Sequence, residues 1–152
     1  MKSYEIWPNV LYQRGRTNRV PVEHKRQWAL DHRLGLVVQL CRQPDIIWQG
    51  FPGVEFLYCP VPDGRDVRTI HDMMEYPLSF AARTIGQGRA VLSFCNAGRN
   101  RSSLFSGLLL NTMVRWRDWP PRAGEELVAF LRRCRPNAFG NEAMAEYLRG
   151  LP

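Results

Sequence analysis

The chain has 152 residues, 45% of them hydrophobic, and a formal net charge of +7. That size and apolar content suit one domain over residues 1–152, burying its core without disulfide or metal staples, and no apolar run approaches the ~20 residues of a membrane-spanning helix. The charge excess is almost all arginine, 19 against two lysines, and is spread along the chain, so a solvated surface or an anionic substrate explains it better than a dedicated nucleic-acid role.

Residues 10–12 read as a short opening strand before a polar turn through Gly15. Residues 22–34 carry mixed charge with Trp28, Ala29 and Leu34 at helix-like intervals, and Gly35 stands where a helix C-cap would. The β-branched run 36–40 predicts a buried strand, residues 42–54 with Pro44, Gly50, Pro52 and Gly53 a loop, and residues 56–59 a second strand ending at Pro60 and Pro62. From Asp66, an N-cap candidate, Val67, Ile70, Met74, Leu78, Ala81 and Ile85 recur near the 3.6 period of a core-facing helix, which Pro77 is expected to kink or restart. Gly86 and Gly88 close it, and residues 90–94 form the third strand. Leu104, Phe105, Leu108, Leu109, Met113 and Trp116 mark a helix that Pro120 and Pro121 stop, and two amphipathic helices follow over 123–134 and 141–149. Strands separated by helices predict an α/β fold with a short, mostly parallel central sheet.

The most informative segment joins the third strand to the helix behind it: Cys95, Asn96, Ala97, Gly98, Arg99, Asn100, Arg101, then Ser102. A strand feeding a tight loop into a helix N-terminus directs amides and the positive end of the helix dipole at one point, which suits an oxyanion such as phosphate. The same field favours a thiolate at Cys95, and Arg101 can present two parallel N–H donors to phosphoryl oxygens. Gly98 is free to take positive φ, and no proline in the loop removes an amide. A decoy with the same Cys-x5-Arg spacing, Cys59 to Arg65, lacks two amides at Pro60 and Pro62 and is followed by Asp66 instead of a hydroxyl.

Cys41, Cys59, Cys95 and Cys134 form no CxxC pair, and His24, His32 and His71 make no ligand-spaced cluster with them. Reduced thiols and no metal are therefore expected. With no apolar run of signal-peptide length in the first eight residues, a soluble, cytoplasmic monomer is expected.

The segment from Cys95 to Ser102 resembles the signature of the cysteine-dependent protein tyrosine phosphatase superfamily, and chain length and element order are similar to its compact dual-specificity branch. The resemblance spans nearly the whole chain and implies a phosphatase acting through a phosphocysteine, without cofactor, on phosphotyrosine proteins and, with a shallower cleft, on phosphoserine or phosphothreonine. It implies Cys95 as nucleophile, Arg101 and the amides of Asn96, Ala97, Gly98, Arg99 and Asn100 as phosphate ligands, and Ser102 as the hydroxyl that stabilises the leaving sulfur. Asp63, 32 positions before Cys95, is the implied general acid; Asp66 competes, but suits an N-cap. Asn141 matches a water-positioning amide or, equally, a helix N-cap. Phe94 departs from the family's usual histidine before the cysteine, which removes one group that orients the loop. A phosphoinositide or RNA 5′-end substrate, favoured by Arg99, and a catalytically silent phosphopeptide-binding module, motivated by Phe94, are the alternatives. Cys59 is either an inert strand cysteine or an oxidation partner of Cys95.

Overall fold

The computed structural model describes residues 3–16, 19–43, 45–115, 119–122 and 124–152. Five strands, β1 (Tyr4–Trp7), β2 (Leu11–Arg14), β3 (Leu34–Gln39), β4 (Glu55–Tyr58) and β5 (Ala90–Phe94), form one sheet in the order β1-β2-β5-β3-β4. β1 runs antiparallel to β2, and every other pairing is parallel. The helices are α1 (Val22–Asp31), α2 (Val67–Gly86), α3 (Arg101–Thr112), α4 (Leu127–Cys134) and α5 (Glu142–Arg149).

The pleat divides the core. Leu36, Val38, Val91 and Cys95 belong to a large cluster with residues of α2 to α5, whereas Val37, Leu92 and Phe94 join Tyr12, Trp28 and Trp48 in a smaller one beside α1. Successive strand residues face opposite sides, so Phe94 and Cys95 part company by geometry alone. β3 is buried along its whole length, as a central parallel strand covered on both faces should be.

Several local expectations are corrected. The antiparallel edge strand β1 has only Ile6 and Trp7 buried, too short a pattern to register as period two. Helix α1 ends at Asp31, so Leu34 and Gly35 lie in β3. Arg33, at φ 50°, makes the left-handed turn expected of Gly35; Gly35 is needed because a Cβ would come within 2.7 Å of both Arg89 Cβ and Thr84 Cγ2. The 42–54 loop contains a 3-10 turn, Ile46–Gly50, and Pro44 lies outside the described residues. α3 stops at Thr112, ahead of Pro120 and Pro121, and Trp116 lies outside the described residues. The helix expected over 123–134 begins at Leu127, and Ala123 is likewise outside them.

Pro77 neither breaks nor restarts α2, which continues through it. Proline has no N–H to donate to the carbonyl four residues back. That acceptor, Met73 O, instead receives the Cys59 thiol at 3.4 Å.

Candidate active site

Because β2, β5 and β3 are parallel neighbours, their C-terminal ends emerge on one edge of the sheet, and the loop of residues 95–100 leaves from the middle. Its carbonyls are held from outside, one after another. Asn96 O accepts Arg16 N at 3.1 Å, Arg99 O accepts Phe139 N at 3.0 Å, and Asn100 O accepts Leu104 N at 2.8 Å. Ala97 O accepts Arg135 Nη2 at 2.7 Å, and Gly98 O accepts Gln13 Nε2 at 3.1 Å. Among the described residues, the amides of residues 96–100 donate to no protein acceptor. With the carbonyls tied back, the amides form a nest of the kind that binds anions.

Gly98 has φ 63°, and a Cβ there would drive into the backbone of Arg14 and Gly15. Both conformation and close approach therefore demand glycine at this position. Gln13 is fully buried; besides Gly98 O, its amide donates to Ser103 Oγ at 2.8 Å and its oxygen accepts Ser106 Oγ at 3.1 Å. Strand β2, the loop and the first turns of α3 are thus joined through one side chain.

Cys95 is 2% exposed and its Sγ lies 3.5 Å from Ser102 Oγ. Arg101, buried in the first turn of α3, donates through Nη1 to Leu40 O at 3.1 Å and Val61 O at 3.3 Å. These two carbonyls, from the segments after β3 and β4, fix the guanidinium. Among the described residues its buried Nε has no hydrogen-bond partner, and it forms an ion pair with Asp63 Oδ2 at 3.8 Å.

Asp63 is clamped by the two neighbouring segments. Asn100 Nδ2 donates to both carboxylate oxygens at 3.1 Å, and Asn141 Nδ2 reaches Asp63 Oδ1 at 3.4 Å and Gly64 O at 2.8 Å. Asn141 N in turn donates to Asn100 Oδ1 at 3.1 Å. Asn141 occupies the N-cap position of α5, yet its side chain makes no cap bond and is spent on the Asp63 loop. Asp66 does cap: it accepts Thr69 N and, at 2.7 Å, Thr69 Oγ1, and those bonds hold its carboxyl below the usual range. The structure thus gathers Cys95, Ser102, Arg101, Asp63 and Asn141 on one edge and leaves Asp66 to its helix. Arg99 is exposed and donates to Asn137 O at 3.3 Å.

No protein-family model and no curated protein matches the chain. Solved structures do. Human DUSP28 is 21% identical, with a TM-score of 0.69 over 97% of this chain and 90% of its own. Cydia pomonella PTP-2 phosphatase is 19% identical, with a TM-score of 0.71 over 98% and 89%. PTPMT1 is 18% identical, with a TM-score of 0.72 over 97% and 92%.

The fold is that of the cysteine-dependent phosphatases.

Within this phosphatase fold, position 94 faces away from the nest, and Phe94 fills the core beside α1 with Tyr12 and Trp28. The loop is oriented instead by two residues that sequence reasoning missed, Gln13 and Arg135. Gln13 gave no signal, because it falls in the polar turn expected after residues 10–12, whereas β2 extends through it to Arg14. Arg135 also stacks 4.1 Å from the Tyr4 ring, and burial lowers its pKa against the opposing pull of Tyr4 and Cys95. Burial raises the thiol pKa of Cys41, Cys59 and Cys134, so these remain protonated and poorly nucleophilic at neutral pH.

Proposed function

We propose that this protein is a cysteine-dependent phosphatase that hydrolyses phosphate monoesters, with phosphotyrosine proteins as substrates. The observation that carries this reading is the nest: five amides that donate to no protein acceptor among the described residues, their carbonyls tied outward, beside a buried thiol and a buried arginine. Such a preorganised set of donors stabilises the charge that develops on phosphoryl oxygens at little reorganisation cost.

Cys95, as thiolate, attacks phosphorus in line with the ester oxygen. The sulfur–phosphorus bond forms as the phosphorus–oxygen bond breaks, and Asp63 in its protonated form gives its proton to the departing alkoxide or phenoxide. Water then attacks the phosphocysteine, Asp63 as carboxylate takes the proton of that water, and inorganic phosphate leaves as the thiolate is restored. Ser102 Oγ, beside Sγ, donates to the sulfur as it departs. Asn141 and Asn100 hold Asp63 over the nest, and Asn141 is the amide that steers the attacking water.

The test is a substrate panel on the purified chain: p-nitrophenyl phosphate, phosphotyrosine, phosphoserine and phosphothreonine peptides, a phosphoinositide and an RNA with a 5′-phosphate. PTPMT1 has been solved in complex with PI(5)P, which motivates the inositide arm. Alkylation-sensitive turnover with phosphotyrosine fastest is expected. Turnover that survives Cys95→Ser removes the thiol from its role, and binding without turnover converts the reading to a phosphopeptide-binding module.

A further inference from the structure

We infer that the reaction cleft has a second anion subsite, formed by Arg16 and Arg42, and that the preferred substrate is a phosphotyrosine peptide with an acidic residue beside the phosphorylated one. This rests on the phosphatase reading above and narrows its substrate class.

The subsite follows from the topology. β2 and β3 flank β5 on either side and run parallel to it, with Arg14 and Gln39 both registered on Phe94. The residues leaving these strands therefore rise on both sides of the Cys95 loop, and each exit carries an arginine, Arg16 after β2 and Arg42 after β3. Both positions are fixed at the backbone: Arg16 N donates to Asn96 O at 3.1 Å, and Arg42 O accepts the Tyr58 hydroxyl at 2.6 Å. Together with Arg101, Asn96 and Pro62 they line a cleft of about 440 Å³.

The charge of this cleft is unbalanced. Among the described residues Asp63 is its one lining carboxylate, and it is already engaged by Asn100 and Asn141 and faces Arg101. Among the described residues, neither Arg16 nor Arg42 makes an ion pair. A phosphate monoester gripped by Arg101 and the amides leaves these two guanidinium groups for another anion on the same substrate, and each can clasp a carboxylate in bidentate fashion. Exposed Pro62 gives the phenyl ring of a phosphotyrosine an apolar wall, which favours an aryl phosphate in a peptide over a sugar-like headgroup.

The experiment compares kcat/KM of the full chain on a phosphotyrosine peptide flanked by glutamates, the same peptide flanked by glutamines, and an inositol bisphosphate. At low ionic strength the acidic peptide is expected to lead the neutral one by about tenfold, as two partly screened charge contacts would give, and the lead should shrink in 0.5 M salt. Arg16→Ala with Arg42→Ala should bring the ratio to about one, and the double lysine variant should restore part of it. A wild-type ratio near one, a ratio that survives the double alanine variant, or faster turnover of the inositol bisphosphate would each overturn the inference. The same preparation is assayed on p-nitrophenyl phosphate: absent turnover there overturns the phosphatase reading, whereas turnover with a ratio of one overturns the second subsite alone.

Discussion

Two segments of this chain begin with cysteine and reach arginine six places later, and both leave the C-terminal end of a parallel strand. The segment after β5 leaves the middle of the sheet, where β2 and its exit, the segment between α4 and α5, and α3 supply partners for its carbonyls. The segment after β4 leaves an edge strand paired only with β3. There Pro60 and Pro62 delete amides, and the Cys59 thiol is engaged with Met73 O, the acceptor orphaned by Pro77. Spacing in sequence is thus a weak predictor of an anion site. What separates the two is where the amides go: among the described residues those of 96–100 donate to no protein acceptor, whereas Cys59 N and Val61 N donate to Gln39 O and Leu40 O. The second segment nevertheless brings Asp63 against the first, where Asn100 donates to both of its carboxylate oxygens and Arg101 faces it.

The sharpest way to break this comparison is at the sulfurs. Cys95→Ser is expected to reduce p-nitrophenyl phosphate turnover by at least about 10³-fold with an unchanged circular dichroism spectrum, whereas Cys59→Ser should leave turnover within about twofold. Equal losses would remove the distinction between the two cysteines. Next come the glycines. Gly98→Ala must force a Cβ into the Arg14 and Gly15 backbone at φ 63°, and should cost about 10²-fold in kcat/KM and ~1–3 kcal/mol of stability. A Cβ at Gly64 would meet nothing within 4 Å, so Gly64→Ala should be near neutral in denaturant titrations and in turnover.

The aspartates give a graded effect. Asp63→Ala should slow an alkyl phosphate by about 10²–10³-fold and an activated aryl phosphate far less, because only the poor leaving group needs the proton. Asp66→Ala should lower Tm by a few degrees through loss of its cap and leave both rates alone; matched losses on the two substrates for Asp63→Ala would reassign the acid. The smallest effect lies outside both loops and separates their chemistry from general acid unfolding. Arg133, with help from Arg122 N, holds the Glu125 carboxyl down at about 2, against an ordinary value of 4.5. Since the unfolded chain binds that proton more readily, the stabilisation is complete above pH 4.5 and is lost as pH falls toward 2. Glu125→Gln should flatten thermal stability over that interval, and an unchanged slope would discount the ion pair.

Legibility followed the range of the interactions. β5, α2 and the amphipathic α5 could be read from the chain because each carries its own period and stop signals, and Asp66 as a cap needed only Thr69, three residues away. The end of α1 was misplaced because Arg33 takes the left-handed turn that Gly35 was expected to make, a choice set by the close packing of Gly35 on Thr84 and Arg89. Asn141 looked like a cap by position, yet its side chain is committed to Gly64 and Asp63, 77 and 78 residues distant. Gln13 and Arg135 escaped notice for the same reason: their acceptors in the loop lie 85 and 38 residues away.

The sequence by itself determined the inventory of the site: a thiol, a guanidinium and a hydroxyl at fixed offsets, a glycine where positive φ is required, and no proline in between. Those are covalent and local conformational properties, written residue by residue. The tertiary structure alone decided that the carbonyls of this loop turn outward, that Phe94 and Cys95 lie on opposite faces of the sheet, and that arginines from two flanking strands meet at one cleft. Each depends on which strands are neighbours and in what register, and that pairing is fixed by burial of the whole sheet rather than by any short stretch of chain.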